Sequence, residues 1–246
     1  MELNIQKIKK SYFAKAAILL TLIVSTTNCT SFRNQKTNIA FEENKEIYIR
    51  KNKSERTDFF KVTDAETRWV DSIYNKMPLD EKIGQLFMVS AYSNKDSLHT
   101  KEIDKLVQEY KVGGLIFFKG GPIRQAQLTN QFQSKAKVPL FIAIDAEWGL
   151  NMRLDSTYRY PWNMTLGAIQ DLKLIEKVGQ AMGKENKRMG IQFNFAPVLD
   201  INTNPNNPII GNRSFGESKI NVTNKAIALM SGEQKEGVFC TGKHFP

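Results

Sequence analysis

The chain has 246 residues, 41% hydrophobic and 24% charged, and 35 Lys/Arg against 25 Asp/Glu leave a net charge of +10. That composition excludes disordered, collagen-like and disulfide-scaffold classes. Residues 1–62 hold twelve of the basic and six of the acidic residues, so the body beyond them is only +4 and no basic groove for nucleic acid is indicated.

At the N-terminus, Lys7, Lys9, Lys10 and Lys15 lead into an apolar run from Ala16 to Val24. Nine residues fall short of the roughly 20 that cross a bilayer, and the basic start fits a signal peptide. Cys29 follows where bacterial lipoprotein signals place the cysteine that becomes lipidated. Residues 1–28 therefore read as a leader and Cys29 as a membrane anchor. Asn28 stands where a small residue is usual, and ordinary signal peptidase cleavage is the alternative. Residues 29–62 are polar, rich in Lys, Asn and Glu, and read as a flexible tether. Cys240 is the only other cysteine, and His99 and His244 are the only histidines, so neither a disulfide framework nor a metal site is expected. No cofactor is expected either.

Order should begin at Thr63-Asp-Ala-Glu66, a capping-box spacing. Trp69, Val70, Ile73, Tyr74 and Met77 share one helical face, and Pro78 ends that helix. Strands and helices then alternate. Strand runs are Leu86–Ser90, Val112–Phe118, Val138–Ile144, Ile191–Leu199 and Gly237–Phe245. The helices between them are marked by Leu98 to Tyr110, by Pro122 to about Ala136, by Ile175, Val178 and Met182, and by Val222, Ala226, Leu229 and Met230. Repeated βαβ units mean a parallel sheet.

Two architectures could hold it, an open doubly wound sheet or a (β/α)8 barrel. No Gly-x-Gly-x-x-Gly follows the first strand, which weakens the dinucleotide-binding form. Polar residues cluster just after strands instead, at Asp145, Asp200 and Lys243-His244, where a barrel places its site. Eight units take about 250 residues, and only 184 follow residue 62. The expectation is the first five or so units of a TIM-like barrel over residues 63–246, within a longer protein.

Five segments carry a resemblance: Asp80-Glu-Lys-Ile-Gly-Gln-Leu86, Ile144-Asp-Ala-Glu147, Phe195-Ala-Pro-Val-Leu-Asp200, Gly211-Asn-Arg-Ser-Phe-Gly216 and Gly242-Lys-His-Phe-Pro246. In this order they resemble glycoside hydrolase family 3, whose catalytic domain is a (β/α)8-like barrel. The fourth and fifth look more like its β-N-acetylhexosaminidase branch than its β-glucosidase branch. Asp145 to Arg153 is similar to lipoprotein members from Bacteroidetes-type bacteria.

On chemistry alone, Asp145 closes an apolar strand either as a structural cap or as an acceptor for sugar hydroxyls. Arg153 is a surface arginine or a guanidinium bridging carboxylate and hydroxyl. Trp148 stacks on a sugar or fills space. Arg213, in a loop held by turns, is a ligand or the ion-pair partner of Asp200 or Glu217. Lys243 ends a buried strand, where a lysine is costly unless paired; with His244 it is either core structure or part of a site. The resemblance makes Asp145, Arg153, Arg213, Lys243 and His244 ligands of one terminal sugar and gives Asp200 a structural role.

It also implies a retaining glycosidase acting on non-reducing terminal N-acetylhexosaminides from peptidoglycan or chitin-type oligosaccharides. Its aspartate nucleophile and histidine acid/base would lie beyond Pro246, so that this chain alone is inactive. A family 3 β-glucosidase and a non-catalytic, sugar-binding envelope lipoprotein are the alternatives. Export to the cell envelope, facing the periplasm, follows from the leader.

Overall fold

The computed structural model describes residues 62–245. The leader, Cys29, the tether up to residue 61 and Pro246 lie outside the described residues.

Helix α1 (Asp64–Tyr74) starts as the sequence predicts. The Thr63 hydroxyl accepts from the Glu66 N–H at 3.2 Å, and the Glu66 carboxylate accepts from the Thr63 N–H at 2.7 Å. Its apolar stripe is not buried, and Trp69, Val70 and Tyr74 stay exposed. The helix ends at Tyr74 with Asn75 as its cap, short of Met77, and Pro78 is instead the N-cap of a second helix, α2 (Leu79–Gly84), which the sequence reading did not separate.

Five strands follow, β1 (Met88–Ala91), β2 (Gly114–Phe117), β3 (Phe141–Ile144), β4 (Phe193–Asn194) and β5 (Phe239–Cys240), all parallel and in the order β1-β2-β3-β4-β5. The crossovers carry α3 (Ser97–Gln108), α4 (Pro122–Lys135), α5 (Asn163–Gly167) with α6 (Leu172–Arg188), and α7 (Lys219–Lys235). This order decides between the two architectures. A doubly wound sheet reverses direction at a switch point, whereas a barrel adds each new strand on the same side of the last. No reversal occurs here.

Each strand is shorter than its apolar run. Leu86 and Phe87 are spent closing the turn after α2, with their N–H groups donating to Ile83 and Gly84 carbonyls. In the fourth run the continuous ladder ends at Asn194, and past it one isolated parallel bridge joins Val198 to Lys243, whose N–H donates to the Pro197 carbonyl at 3.1 Å.

One sheet face is covered by helices. Leu115, Phe117, Ile142 and Ile144 are fully buried with Ile103 and Val107 of α3 and Phe132 of α4. A second cluster joins α6 to α7 through Ile175, Met182, Val222 and Leu229. Side chains alternate faces along a strand, so Phe141, Phe193 and Phe239 line up across the opposite face, with ring centroids 5.0 and 4.8 Å apart. Phe141 is half exposed. No described helix is long and apolar enough to cross a membrane.

Candidate functional site

Asp145 comes directly after β3, Asp200 lies beyond β4, and Lys243 and His244 come just after β5. Their side chains gather at the C-terminal ends of the strands. Arg153 returns to the same place from the loop after β3, where Leu150–Met152 form a 3-10 turn. That loop turns at Gly149, whose φ of 85° suits glycine and where a Cβ would meet the Tyr160 ring. Arg213 ends a second 3-10 turn, Gly211–Arg213, and its carbonyl accepts from the Asn163 side chain at 2.8 Å.

The Asp145 carboxylate is shared by two cations. Arg153 Nη2 donates to Oδ2 and Lys243 Nζ to Oδ1, while Arg153 Nε reaches the Asp145 carbonyl at 3.1 Å. Arg153 also lies over the Phe118 ring at 4.9 Å. Asp145 is therefore not a backbone cap. A cleft of about 400 Å³ opens beside Arg153, between Lys119, Asn151 and Ser156.

The second carboxylate is Glu147, which sequence reasoning quoted but did not place in the site. Arg213 grips it with two bonds, Nε to Oε2 at 2.9 Å and Nη2 to Oε1 at 2.7 Å, and Lys243 Nζ lies 2.9 Å from Oε1. Neither Asp200 nor Glu217 is the ion-pair partner of Arg213. A usable signal existed: residues two apart in extended chain face the same way, so Asp145 and Glu147 were candidates as a pair.

The network continues to His244. Arg213 Nη2 stands 3.3 Å from His244 Nε2, and His244 Nδ1 is 2.7 Å from Asp200 Oδ2. A guanidinium only donates, so Nε2 accepts and Nδ1–H faces Asp200. Asp200 also accepts from the His244 backbone N–H at 3.2 Å. All five expected residues thus belong to one chain of contacts, with Glu147 at its centre and Asp200 at its end. Trp148 packs on Trp162 with centroids 4.2 Å apart.

Electrostatics keep the carboxylates charged. Burial alone would raise the Asp145 carboxyl, but hydrogen bonds and charge from Lys243 and Arg153 outweigh it and hold it below its ordinary value. Glu147 behaves alike, with burial overcome by Arg213 and Lys243. The hydrogen bonds to Glu147 raise Arg213 in turn. The result is a fixed set of ionised acceptors and cationic donors at the mouth of the sheet, suited to a ligand with several hydroxyls.

Residues 78–246 match the glycosyl hydrolase family 3 N-terminal domain. The chain belongs to glycosyl hydrolase family 3. It is 39% identical over 158 residues to the beta-hexosaminidase A of Pseudoalteromonas piscicida, a match covering 59% of this chain and 26% of that one. Among solved structures, a glycoside hydrolase family 3 beta-N-acetylglucosaminidase from Paenibacillus sp. str. FPU-7 aligns with a TM-score of 0.62 at 38% identity, covering 69% of this chain and 33% of that one. The beta-glucoside phosphorylase BglX bound to 2FGlc aligns with a TM-score of 0.69 at 26% identity, covering 75% and 33%. The chain therefore spans about a third or less of the length of these relatives. In glycosyl hydrolase family 3 terms, its five parallel strands and the helices between them are part of a TIM-like barrel.

Proposed function

We propose that this chain forms the sugar-binding part of a retaining glycosidase that releases non-reducing terminal β-linked N-acetylhexosamine. The observation that carries the reading is the convergence of Asp145, Arg153, Arg213, Lys243 and His244, from the ends of β3, β4 and β5, on one network around Glu147. Sugar hydroxyls both donate and accept. Asp145 would accept hydrogen bonds from them, and Arg153, Arg213 and Lys243 would donate to their oxygens, while Glu147, whose side chain has no exposure, would hold Arg213 and Lys243 in place. Both carboxylates are already neutralised by cations, so in this reading Asp145 orients the ring and neither carboxylate attacks it.

Retaining glycosidases use a nucleophile and an acid/base about 5–5.5 Å apart. The family resemblance puts both beyond Pro246, on later parts of the barrel. In this reading they attack the anomeric carbon of a ring held by the residues described above. The hexosaminidase branch is supported over β-glucosidase by the 39% identity to the beta-hexosaminidase A and the 38% identity to the beta-N-acetylglucosaminidase. Peptidoglycan or chitin-type oligosaccharides are the proposed source of the sugar. The proposed location is the bacterial cell envelope, exported and anchored through Cys29, with residues 29–62 as tether.

The test is kcat/KM of the full-length protein on an aryl N-acetyl-β-glucosaminide and on the matching β-glucoside, for the natural protein and Asp145→Ala. Preference for the N-acetylated substrate and a loss of roughly tenfold to a hundredfold in Asp145→Ala are expected, since hydrogen bonds to charged groups contribute about 1.5–3 kcal/mol each. Preference for the glucoside would favour the β-glucosidase reading. Unchanged kcat/KM in folded Asp145→Ala would remove this network from the site.

A further inference from the structure

Glu233 on α7 is fully buried behind the sheet. It reaches that depth because α6 and α7 pack backbone to backbone: Gly179 lies against the Leu229 carbonyl, where a Cβ would come within 2.0 Å. The carboxyl meets no cation there. Its Oε2 accepts from Asn194 Nδ2 at 2.8 Å and from Asn186 Nδ2 at 3.2 Å, and Oε1 has no hydrogen-bond partner. An unpaired buried acid is costly, and an apolar side chain would fill the same space without that cost. Packing gives no reason for a glutamate.

Asn194 supplies one. At the end of β4, its Oδ1 accepts from the Ala146 N–H at 3.0 Å, and its Nδ2 lies 3.3 Å from the Ala146 carbonyl. Ala146 is the residue between Asp145 and Glu147. A carboxamide that turns its NH2 toward Glu233 must turn its oxygen toward the Ala146 N–H. An acceptor at position 233 therefore fixes which way Asn194 faces.

We propose that Glu233 is a positioning residue for the sugar site, holding the Asp145-Ala146-Glu147 segment in register through Asn194. This rests on the function proposed above and adds a residue more than one contact away from the ligand. Burial pushes the Glu233 carboxyl up to about 7, against the pull of hydrogen bonds from Asn194 and Asn186. The groups around it are few. From β5 comes the Cys240 thiol, pushed up by burial and then by the charge of Glu233. From β4 and α6 come the two neutral asparagines, and Glu185 of α6 is taken by the Tyr160 hydroxyl at 2.8 Å. Near neutrality Glu233 passes between a neutral and an ionised acceptor, and its hold on Asn194 strengthens as it ionises.

Two readouts on the full-length protein test this, the amide NMR signal of Ala146 across pH and the Kd for N-acetylglucosamine. The Ala146 signal should titrate with a midpoint near 7 in the natural protein and lose that step in Glu233→Gln, which keeps an acceptor but no proton equilibrium. Glu233→Leu should weaken N-acetylglucosamine binding about threefold to tenfold, and Glu233→Gln should restore it to within about twofold. An Ala146 signal blind to pH overturns the proposal, as does a titration that survives Glu233→Gln or natural affinity in folded Glu233→Leu. Should Glu233→Leu not fold, the Glu233→Gln titration decides. If the Ala146 signal follows Glu233 but the natural protein binds no N-acetylglucosamine, the positioning link is supported and the sugar reading alone fails.

Discussion

Arg213 holds the Glu147 carboxylate along one edge of its guanidinium, with Nε 2.9 Å from Oε2 and Nη2 2.7 Å from Oε1. Paired bonds of this kind fix orientation as well as distance. The Glu147 side chain has no exposure, so cutting Arg213 leaves a buried anion with Lys243 as its remaining cation. Removing one member of a buried pair costs about 3–5 kcal/mol, and Lys243 should offset part of that. Arg213→Ala is expected to destabilise the full-length protein by roughly 2–3 kcal/mol in urea unfolding. A cycle with Glu147→Ala should show coupling of at least about 1 kcal/mol. Strictly additive losses would show that the two side chains do not depend on each other.

Acid should act on the same network. A carboxyl held low when folded binds its proton more readily unfolded, so its stabilisation is complete above its ordinary value and fades as pH falls through the folded one. Asp145 and Glu147 are both held below their ordinary 3.8 and 4.5. Glu233 runs the other way: its carboxyl is raised, so it costs stability as pH rises from 4.5 toward about 7. Melting temperature should therefore fall as pH drops below about 4 and also decline as pH rises from about 4.5 toward 7. In Glu233→Gln the upper drift should vanish and the acid limb remain. A Glu233→Gln profile that keeps the upper drift would assign it to another group.

What could be read in advance followed from local chemistry. Apolar runs located all five strands because parallel strands are buried on both faces, and Thr63 with Glu66 announced α1. Asp145 and Lys243 were visible because a charged residue at the end of an apolar run needs a reason. Strand lengths were not readable, since ladder ends depend on the turn at Leu86-Phe87 and on where β4 and β5 meet. The Arg213–Glu147 pair joins residues 66 apart in sequence, and the local spacing that pairs Glu147 with Asp145 does not say which cation meets it. Glu233 was the least legible. It continues the Val222, Ala226 and Leu229 stripe four residues on, so periodicity puts it on the buried face, but nothing in the sequence shows the close approach of α6 or the asparagines it meets there.

The anchor proposal has a direct check. If Cys29 is lipidated, the natural protein should take up labelled palmitate, fractionate with membranes and begin at residue 29. Cys29→Ser should lose the label and move to the soluble fraction. Label retained in Cys29→Ser, or a mature N-terminus beyond residue 29, would overturn the anchor and leave the barrel reading untouched.

The last prediction concerns residues 63–246 expressed alone. Among the described residues, the outer edges of β1 and β5 pair with no further strand, and unpaired edges are templates for association. The face away from the helices carries the Phe141, Phe193 and Phe239 rings, with Phe141 half exposed. On α1, Trp69, Val70 and Tyr74 are exposed as well. Burying a large apolar side chain contributes about 1.5–3 kcal/mol, so these groups forgo a sum comparable with the whole stability of a typical domain, about 5–15 kcal/mol. The isolated segment should self-associate, bind a hydrophobic dye and melt without a sharp transition, whereas the full-length protein should melt cooperatively. Light scattering and calorimetry separate the cases. A monomeric segment with a cooperative melt would show that α6, α7 and the helix-covered sheet face suffice as a core, and that the aromatic row needs no cover.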